Sequence, residues 1–163
     1  MNLVGMNIKV LLVDDNAEVR AALRRIIEKT SDIDVCGEAA NGQEAIKGLE
    51  KLECDVVVLD VSLPDMSGLE VLKRIKHRWP DRRVLMVSVH SEELYAIPSL
   101  RAGASGYLTK DKAAEKLTIA IREVSNGRLH LSPSIADQLG GDNTDGAAGS
   151  RMSQTVLSIE SDS

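Results

Sequence analysis

Residues 8–16 read IKVLLVDDN, an apolar run that stops abruptly at three polar residues. A short apolar run bounded by a polar turn is typical of a strand that is buried on both faces. Over residues 17–29 the apolar positions recur at helical spacing, and Asn16 stands where a helix N-cap is expected. The stretch therefore predicts a β-strand, a tight polar turn and an α-helix in succession.

The same strand-then-helix pattern recurs four more times, up to residue 126. The further predicted strands cover residues 33–39, 56–59, 84–87 and 105–108, and a helical pattern follows each of them. Alternation of apolar strands with helices predicts a parallel sheet with right-handed crossovers. Because these strands are too apolar to face water, helices must cover both faces. We therefore expect an α/β fold with a doubly wound, five-stranded parallel sheet.

Composition and charge restrict the classes of function. The 163 residues suit one folded domain, and with no Phe, one Trp and two Tyr its core must be aliphatic. The net charge is −5 and we recognise no basic cluster with interleaved aromatic residues, so we expect no direct nucleic-acid binding. The apolar runs are too short to span a bilayer and the N-terminus shows no signal pattern, so we expect a cytoplasmic protein without membrane contact.

Polar or charged residues stand at the carboxyl ends of four predicted strands. Asp14 and Asp15 follow the first strand, Asp60 the third, Ser88 the fourth and Lys110 the fifth. Ligands of doubly wound sheets bind outside the carboxyl ends of the strands. The fold therefore predicts a site that collects three carboxylates, one hydroxyl and one ammonium group.

The charges of this predicted site indicate its chemistry. Two carboxylates about 4 Å apart repel by roughly 4 kcal/mol at an effective dielectric constant of 20, so three of them need cations. Lys110 supplies one positive charge, and Mg²⁺ fits the remainder because proteins usually hold it through one or two carboxylates and water. Such a site can accept a phosphoryl group, with the Asp60 carboxylate as the nucleophile.

These residues resemble the receiver domain of bacterial two-component response regulators. The resemblance rests on Asp14-Asp15, on Asp60 followed by LPDMSG at residues 63–68, on Ser88 and on GYLTK at residues 106–110. Residues 102–110 and 131–133 are most similar to the NarL/FixJ subfamily. The resemblance covers residues 7 to about 130, and it implies a flavodoxin-like sheet with the strand order 2-1-3-4-5.

The resemblance also implies a role for each site residue. Asp60 would be the phosphoacceptor of a sensor histidine kinase, in a signalling protein rather than an enzyme. Asp14 and Asp15, together with Asp60 and the backbone carbonyl of Ser62, would hold the Mg²⁺ cofactor. Ser88 would donate its hydroxyl to a phosphoryl oxygen, and Lys110 would pair with the phosphoryl group. Tyr107 would be the switch aromatic. The surface around the fourth helix and fifth strand would then be the output face.

Two regions depart from this family pattern. Pro98 falls inside the fourth predicted helix, residues 92–101, where it should kink the helix or delay its start. After the predicted receiver domain, residues 7–130, we expect a short linker helix over 131–140 and a disordered Gly/Ser/Asp-rich tail over 141–163. The subfamily pattern continues into a helix-turn-helix domain instead, so the chain is expected to be a stand-alone receiver or a shortened transcription regulator.

Other functions stay open at this point. An aspartyl-phosphate hydrolase uses a similar site, but that class has a second acid two residues after the nucleophile, where this chain has Ser62. A receiver-like module that binds partners without phosphorylation is also conceivable, although all five site residues are present. Ile119 lies off the apolar face of the last predicted helix, which indicates either a homodimer contact or, equally, an isolated exposed side chain of the ordinary kind. The three histidines show no metal-ligand spacing, and we expect His90 and His130 to be exposed or locally hydrogen-bonded.

Overall fold

The structure, a computed structural model, describes residues 6–142, with side chains up to residue 140. Strands and helices alternate as the sequence predicts. The predicted tail lies outside the described residues, apart from residues 141–142. The elements are β1 Ile8–Val13, α1 Ala17–Glu28, β2 Ile33–Ala39, α2 Gly42–Lys51, β3 Val56–Leu59, α3 Gly68–Arg78, β4 Arg83–Ser88, α4 Glu92–Arg101, β5 Gly106–Thr109, a 3-10 turn Lys110–Lys112, α5 Ala113–Ser125 and α6 Pro133–Asp142.

The five strands form one parallel sheet in the order β2-β1-β3-β4-β5, which confirms the predicted topology. Val13 pairs with Leu59 in neighbouring strands, and Ser88 pairs with Thr109. Strands that are parallel and in register end at the same edge of the sheet. The residues that follow β1, β3, β4 and β5 therefore meet at one edge.

Two apolar cores lie on opposite faces of the sheet. One contains Leu49 of α2, Leu72 of α3 and Leu100 of α4, and the other contains Leu23 of α1 and Leu117 of α5. The central strands β3 and β4 between them are almost fully buried, whereas the edge strand β2 is only partly buried. Helices therefore cover both faces, and the polar groups of the site are confined to the sheet edge.

Helix α4 begins at Glu92 in spite of Pro98, so of the two expected effects, a kink or a late start, the late start is wrong. Pro98 has no N–H to donate to the carbonyl of Leu94, but Leu94 is 66% exposed, so water can reach that part of the helix. The helix is followed by Gly103, whose φ of 106° lies in the left-handed region that favours glycine. The proline is thus accommodated where its missing hydrogen bond is solvent-accessible.

The chain returns to the sheet after α5. His130 forms a bridge with Gly106 alongside β5, and its N–H donates to the carbonyl of Ser105 at 2.8 Å. Helix α6 then packs against α4, and it continues through Gly140 to Asp142. None of the helices within residues 6–142 has the length and apolar character needed to cross a membrane.

Candidate functional site

The backbone hydrogen bonds of the sheet continue one residue beyond β1 and β3 and fix two aspartates. The N–H of Asp14 donates to the carbonyl of Ala39 at 3.1 Å, and the N–H of Asp60 donates to that of Val13 at 3.0 Å. Both side chains are buried, whereas Asp15 is exposed. Carboxylate oxygens of Asp14, Asp15 and Asp60 lie within 4.8 Å of one another, so the structure brings the three predicted acids together.

Lys110 reaches this acidic cluster from the end of β5. Its Nζ lies 2.6 Å from Oδ2 of Asp14 and 3.1 Å from Oδ2 of Asp60. Burial lowers the pKa of Lys110, but its bonds to the two carboxylates more than offset this effect, so its pKa is raised. One ammonium group thus serves two buried carboxylates.

Asp60 is the member of the cluster whose pKa is raised. Burial is the main cause that raises the pKa of its carboxyl group, and the charge of Asp14 adds to it, whereas Lys110 and the N–H of Ser62 act in the opposite direction. The Ser62 N–H lies 3.3 Å from Oδ1 of Asp60. The ionised form of Asp60 is therefore under-compensated by the protein alone.

The cluster fits a divalent cation. Three carboxylates and one ammonium sum to −2, and every ligand atom on offer is oxygen. Oδ2 of Asp14 is buried and makes no hydrogen bond of acceptable geometry, although Lys110 Nζ is close to it. Hard oxygen ligands around a surplus of two negative charges suit Mg²⁺. This acidic triad is the feature that the sequence predicted.

The loop that follows β3 is held close to the site by its contacts. Both carboxylate oxygens of Asp65 accept N–H groups of Gly42 and Gln43, at 2.8 and 2.9 Å, and the bond from Gly42 is the main cause that lowers the pKa of Asp65. A Cβ at Gly68 would lie 2.0 Å from the carbonyl oxygen of Asp60, so only glycine fits there. The loop carrying Ser62 is therefore fixed at both ends.

Ser88 and Tyr107 meet through the backbone of His90. The fully buried Ser88 accepts the N–H of His90 on its Oγ at 3.2 Å. The hydroxyl of Tyr107 donates to the carbonyl of His90 at 2.8 Å, and burial raises the pKa of Tyr107 to about 12. Both predicted switch residues thus contact the loop between β4 and α4.

His90 is a site residue that the sequence analysis missed. Its Nε2 lies 2.7 Å from Oγ of Ser62, 28 residues away, and its ring lies 5.0 Å from that of Tyr95. The expectation of an exposed or locally bonded side chain is therefore wrong. A signal was present, because Ser62 follows Asp60 by two residues and His90 follows Ser88 by two. Equal offsets beyond neighbouring parallel strands predict that such residues face each other.

Comparisons with known proteins agree with this geometry. The sequence model described as response regulator receiver domain matches residues 10–122. The response regulator UvrY of Escherichia coli strain K12 is 40% identical over 132 residues, which are 81% of this chain and 61% of UvrY. The transcriptional regulatory protein YhcZ of Bacillus subtilis strain 168 is 36% identical over 127 residues, 78% of this chain and 59% of YhcZ. The chain thus spans about three fifths of the length of these curated relatives.

A solved structure extends the likeness to the whole of another chain. A two-component response regulator of the LuxR family from Aurantimonas sp. SI85-9A1 superposes with a TM-score of 0.77 and 33% sequence identity. The match covers 85% of this chain and 99% of that one. The range that the sequence model matches, residues 10–122, contains the residues of the acidic cluster.

Proposed function

The chain belongs to the family of response regulator receiver domains, which are signalling proteins rather than classical enzymes, and on that basis we propose that Asp60 is its phosphoacceptor. The observation that carries the proposal is the buried Asp60 carboxylate, with its raised pKa, beside the ammonium group of Lys110. A carboxylate oxygen of Asp60 attacks the phosphorus of a histidine kinase's phosphohistidine. The P–N bond breaks, and the imidazole nitrogen that leaves takes up a proton.

The neighbouring residues support this transfer by position and charge. Asp14, Asp15, Asp60 and the backbone carbonyl of Ser62 would hold Mg²⁺, and a cation bound there would screen the negative charge of the incoming phosphoryl group. Lys110 keeps its proton, as its raised pKa favours, and pairs with a phosphoryl oxygen. Burial of Asp14 and Asp60 restricts both carboxylates before the donor arrives.

Ser88 and Tyr107 convert the covalent change into a change of surface. The hydroxyl of Ser88 turns to donate to a phosphoryl oxygen, and it then leaves the N–H of His90. Tyr107, whose hydroxyl is bonded to the same residue, adjusts with it. The output face is the surface of α4 and β5. In a longer protein of the YhcZ type, this output would be transcription regulation.

Acetyl phosphate with Mg²⁺ tests the acceptor directly. Intact mass spectrometry should show one added phosphoryl group on the parent chain, and none on Asp60→Asn or without Mg²⁺. Asp55→Asn is the matched control, because Asp55 precedes the same strand at its opposite end and should leave labelling unchanged. Equal labelling of Asp60→Asn and the parent would falsify the assignment.

The same assay, followed over time, separates a switch from a hydrolase. A phospho-form that decays slowly supports signalling, whereas many fast turnovers on phosphate esters would support the hydrolase. Within the described site, Ser62 stands where the hydrolase class has its second acid, which favours the switch.

Size-exclusion chromatography of both forms tests whether the exposed Ile119, 44% accessible, belongs to a homodimer contact.

A further inference from the structure

The residues after α5 cover part of the output face. We call residues 128–139 the strap. Its His130 carbonyl accepts the N–H of Tyr107 at 3.2 Å, which adds to the bond from His130 to Ser105 on the same strand edge. Further on, Oγ of Ser132 donates to Oε1 of Glu92 at 2.8 Å. The strap is thus attached to β5 at one point and to the first residue of α4 at another.

Apolar side chains complete the second attachment. Ile135, Ala136 and Leu139 of α6 are 1%, 4% and 5% exposed, and they belong to the same core cluster as Ala96 and Leu100 of α4. All three side chains are therefore buried in the core. Helix α6 is therefore part of the folded domain and covers α4 from outside.

The first attachment, at His130, is reinforced by a contact with α5 that does not involve the acidic site. Nδ1 of His130 lies 2.7 Å from Oε1 of Glu123 on α5, and both side chains are largely buried. This contact joins the start of the strap to the helix on the other face of the sheet. The start of the strap is therefore held even if α4 shifts.

The second attachment begins beside the proposed phosphorylation site. His90, whose N–H donates to Ser88, lies only two residues before Glu92. Ser132 links α4 to α6, because its Oγ donates to Glu92 of α4 and accepts the N–H of Ile135 of α6 at 3.2 Å. A displacement of the loop between β4 and α4 therefore acts on Glu92 and, through Ser132, on the N-terminus of α6.

We propose that α6 is held on α4 by the resting arrangement of the β4–α4 loop, and that phosphorylation of Asp60 loosens it while His130 stays in place as a hinge. The proposal rests on the proposed function of Asp60. When the hydroxyl of Ser88 turns toward the phosphoryl group, the hydrogen bond from the His90 N–H to Oγ of Ser88 is lost. An equilibrium shifts only if the two states differ in such contacts, and this bond is a difference of that kind. The signal thus reaches the residues after 142 through the position of α6.

Hydrogen–deuterium exchange of the full 163-residue chain tests the proposal. With acetyl phosphate and Mg²⁺, backbone amides of residues 135–140 should exchange at least about fivefold faster, the low end of typical allosteric coupling. Amides of residues 128–131 should not change. Intact mass on the same sample gives the phosphorylated fraction, so the two readouts are independent.

Ser132→Ala and Ser134→Ala form a matched pair. Ser132→Ala removes both bonds of Oγ, so α6 should exchange faster before phosphorylation and gain less than about twofold on it. The mass shift should persist, because Ser132 is outside the acidic site. Ser134 is exposed on the same helix, and Ser134→Ala should behave like the parent.

The outcomes separate the two proposals. Equal or slower exchange of α6 in a parent chain that carries the phosphoryl group overturns the loosening of α6 and leaves the role of Asp60 intact. Absence of the mass shift overturns the role of Asp60, and the loosening with it. Because the parent alone is compared with and without its phosphoryl group, the result holds even if Ser132→Ala fails to fold.

Discussion

In two carboxylate–cation pairs of this molecule, the pKa of the carboxyl group is shifted in opposite directions. Asp32, just before β2, accepts Nε and Nη2 of Arg122 at 2.8 and 3.0 Å, and these bonds are the main cause that lowers its pKa. Asp60 lies 3.1 Å from Nζ of Lys110, yet its pKa is raised. The Asp32 side chain is 35% exposed, whereas that of Asp60 is only 5% exposed.

The difference shows what each end of the sheet is built for. Arg122 donates to Asp32 through two nitrogens, and water still reaches both groups, so the ionised form of Asp32 is favoured. Lys110 is shared between Asp60 and Asp14, whose carboxylates are both buried. The contacts at one end of the sheet favour stability, whereas the other end keeps the surplus of negative charge that the proposed binding of a cation and a phosphoryl group requires.

Replacing the cation of each pair should give the largest contrast. Lys110→Met removes the ammonium group that, in the proposed function, pairs with the transferred phosphoryl group. The rate of labelling by acetyl phosphate should therefore fall roughly 100-fold, as for loss of one oxyanion donor. Arg122→Met should leave that rate within about twofold, because Arg122 acts only on stability. Equal losses in both variants would mean that labelling reports folding rather than the site.

Magnesium should stabilise only the end of the sheet with surplus charge. A ligand that binds the folded state stabilises it by about 2.7 kcal/mol at 100 times its dissociation constant. Thermal unfolding followed against Mg²⁺ concentration should therefore show a saturable rise for the parent. Asp15→Asn removes an exposed member of the triad and should flatten the curve, whereas Asp34→Asn, an exposed acid on β2, should keep it. Equal curves for the two variants would place the ion elsewhere.

The predictability of each end from sequence differs for a physical reason. Asp60 and Lys110 could be placed because strand ends of a parallel sheet converge, and the strands are readable as apolar runs. The Asp32–Arg122 pair joins residues 90 apart on a loop and a helix, and no local pattern encodes that contact. The docking of the strap likewise depends on how Ile135 fits against α4, which periodicity alone does not specify.

Removing the acid of each pair should move stability in opposite directions. Without Mg²⁺, Asp60→Asn should raise the free energy of unfolding by about 1 kcal/mol, because it removes a desolvated charge that repels Asp14. Lys110 keeps its partner, since Asp14 lies 2.6 Å away. Asp32→Asn should lower it by less than about 1 kcal/mol, as expected for a pair that is partly exposed. Urea unfolding measures both, and a less stable Asp60→Asn would contradict the surplus of charge.

The pH dependence of these two differences is the finest test. Asp60 has a raised folded pKa, so its cost is complete above that pKa and fades as the pH falls toward the unfolded value of about 3.9. Asp32 has a lowered folded pKa, so its contribution is complete above about 3.9 and is lost only as the pH falls through the folded value. Just above pH 4 the advantage of Asp60→Asn over the parent should therefore shrink, while the deficit of Asp32→Asn stays constant. Urea midpoints of the three chains in magnesium-free buffers between neutral pH and about pH 3 measure this, and parallel changes of both differences would remove the contrast between the two ends.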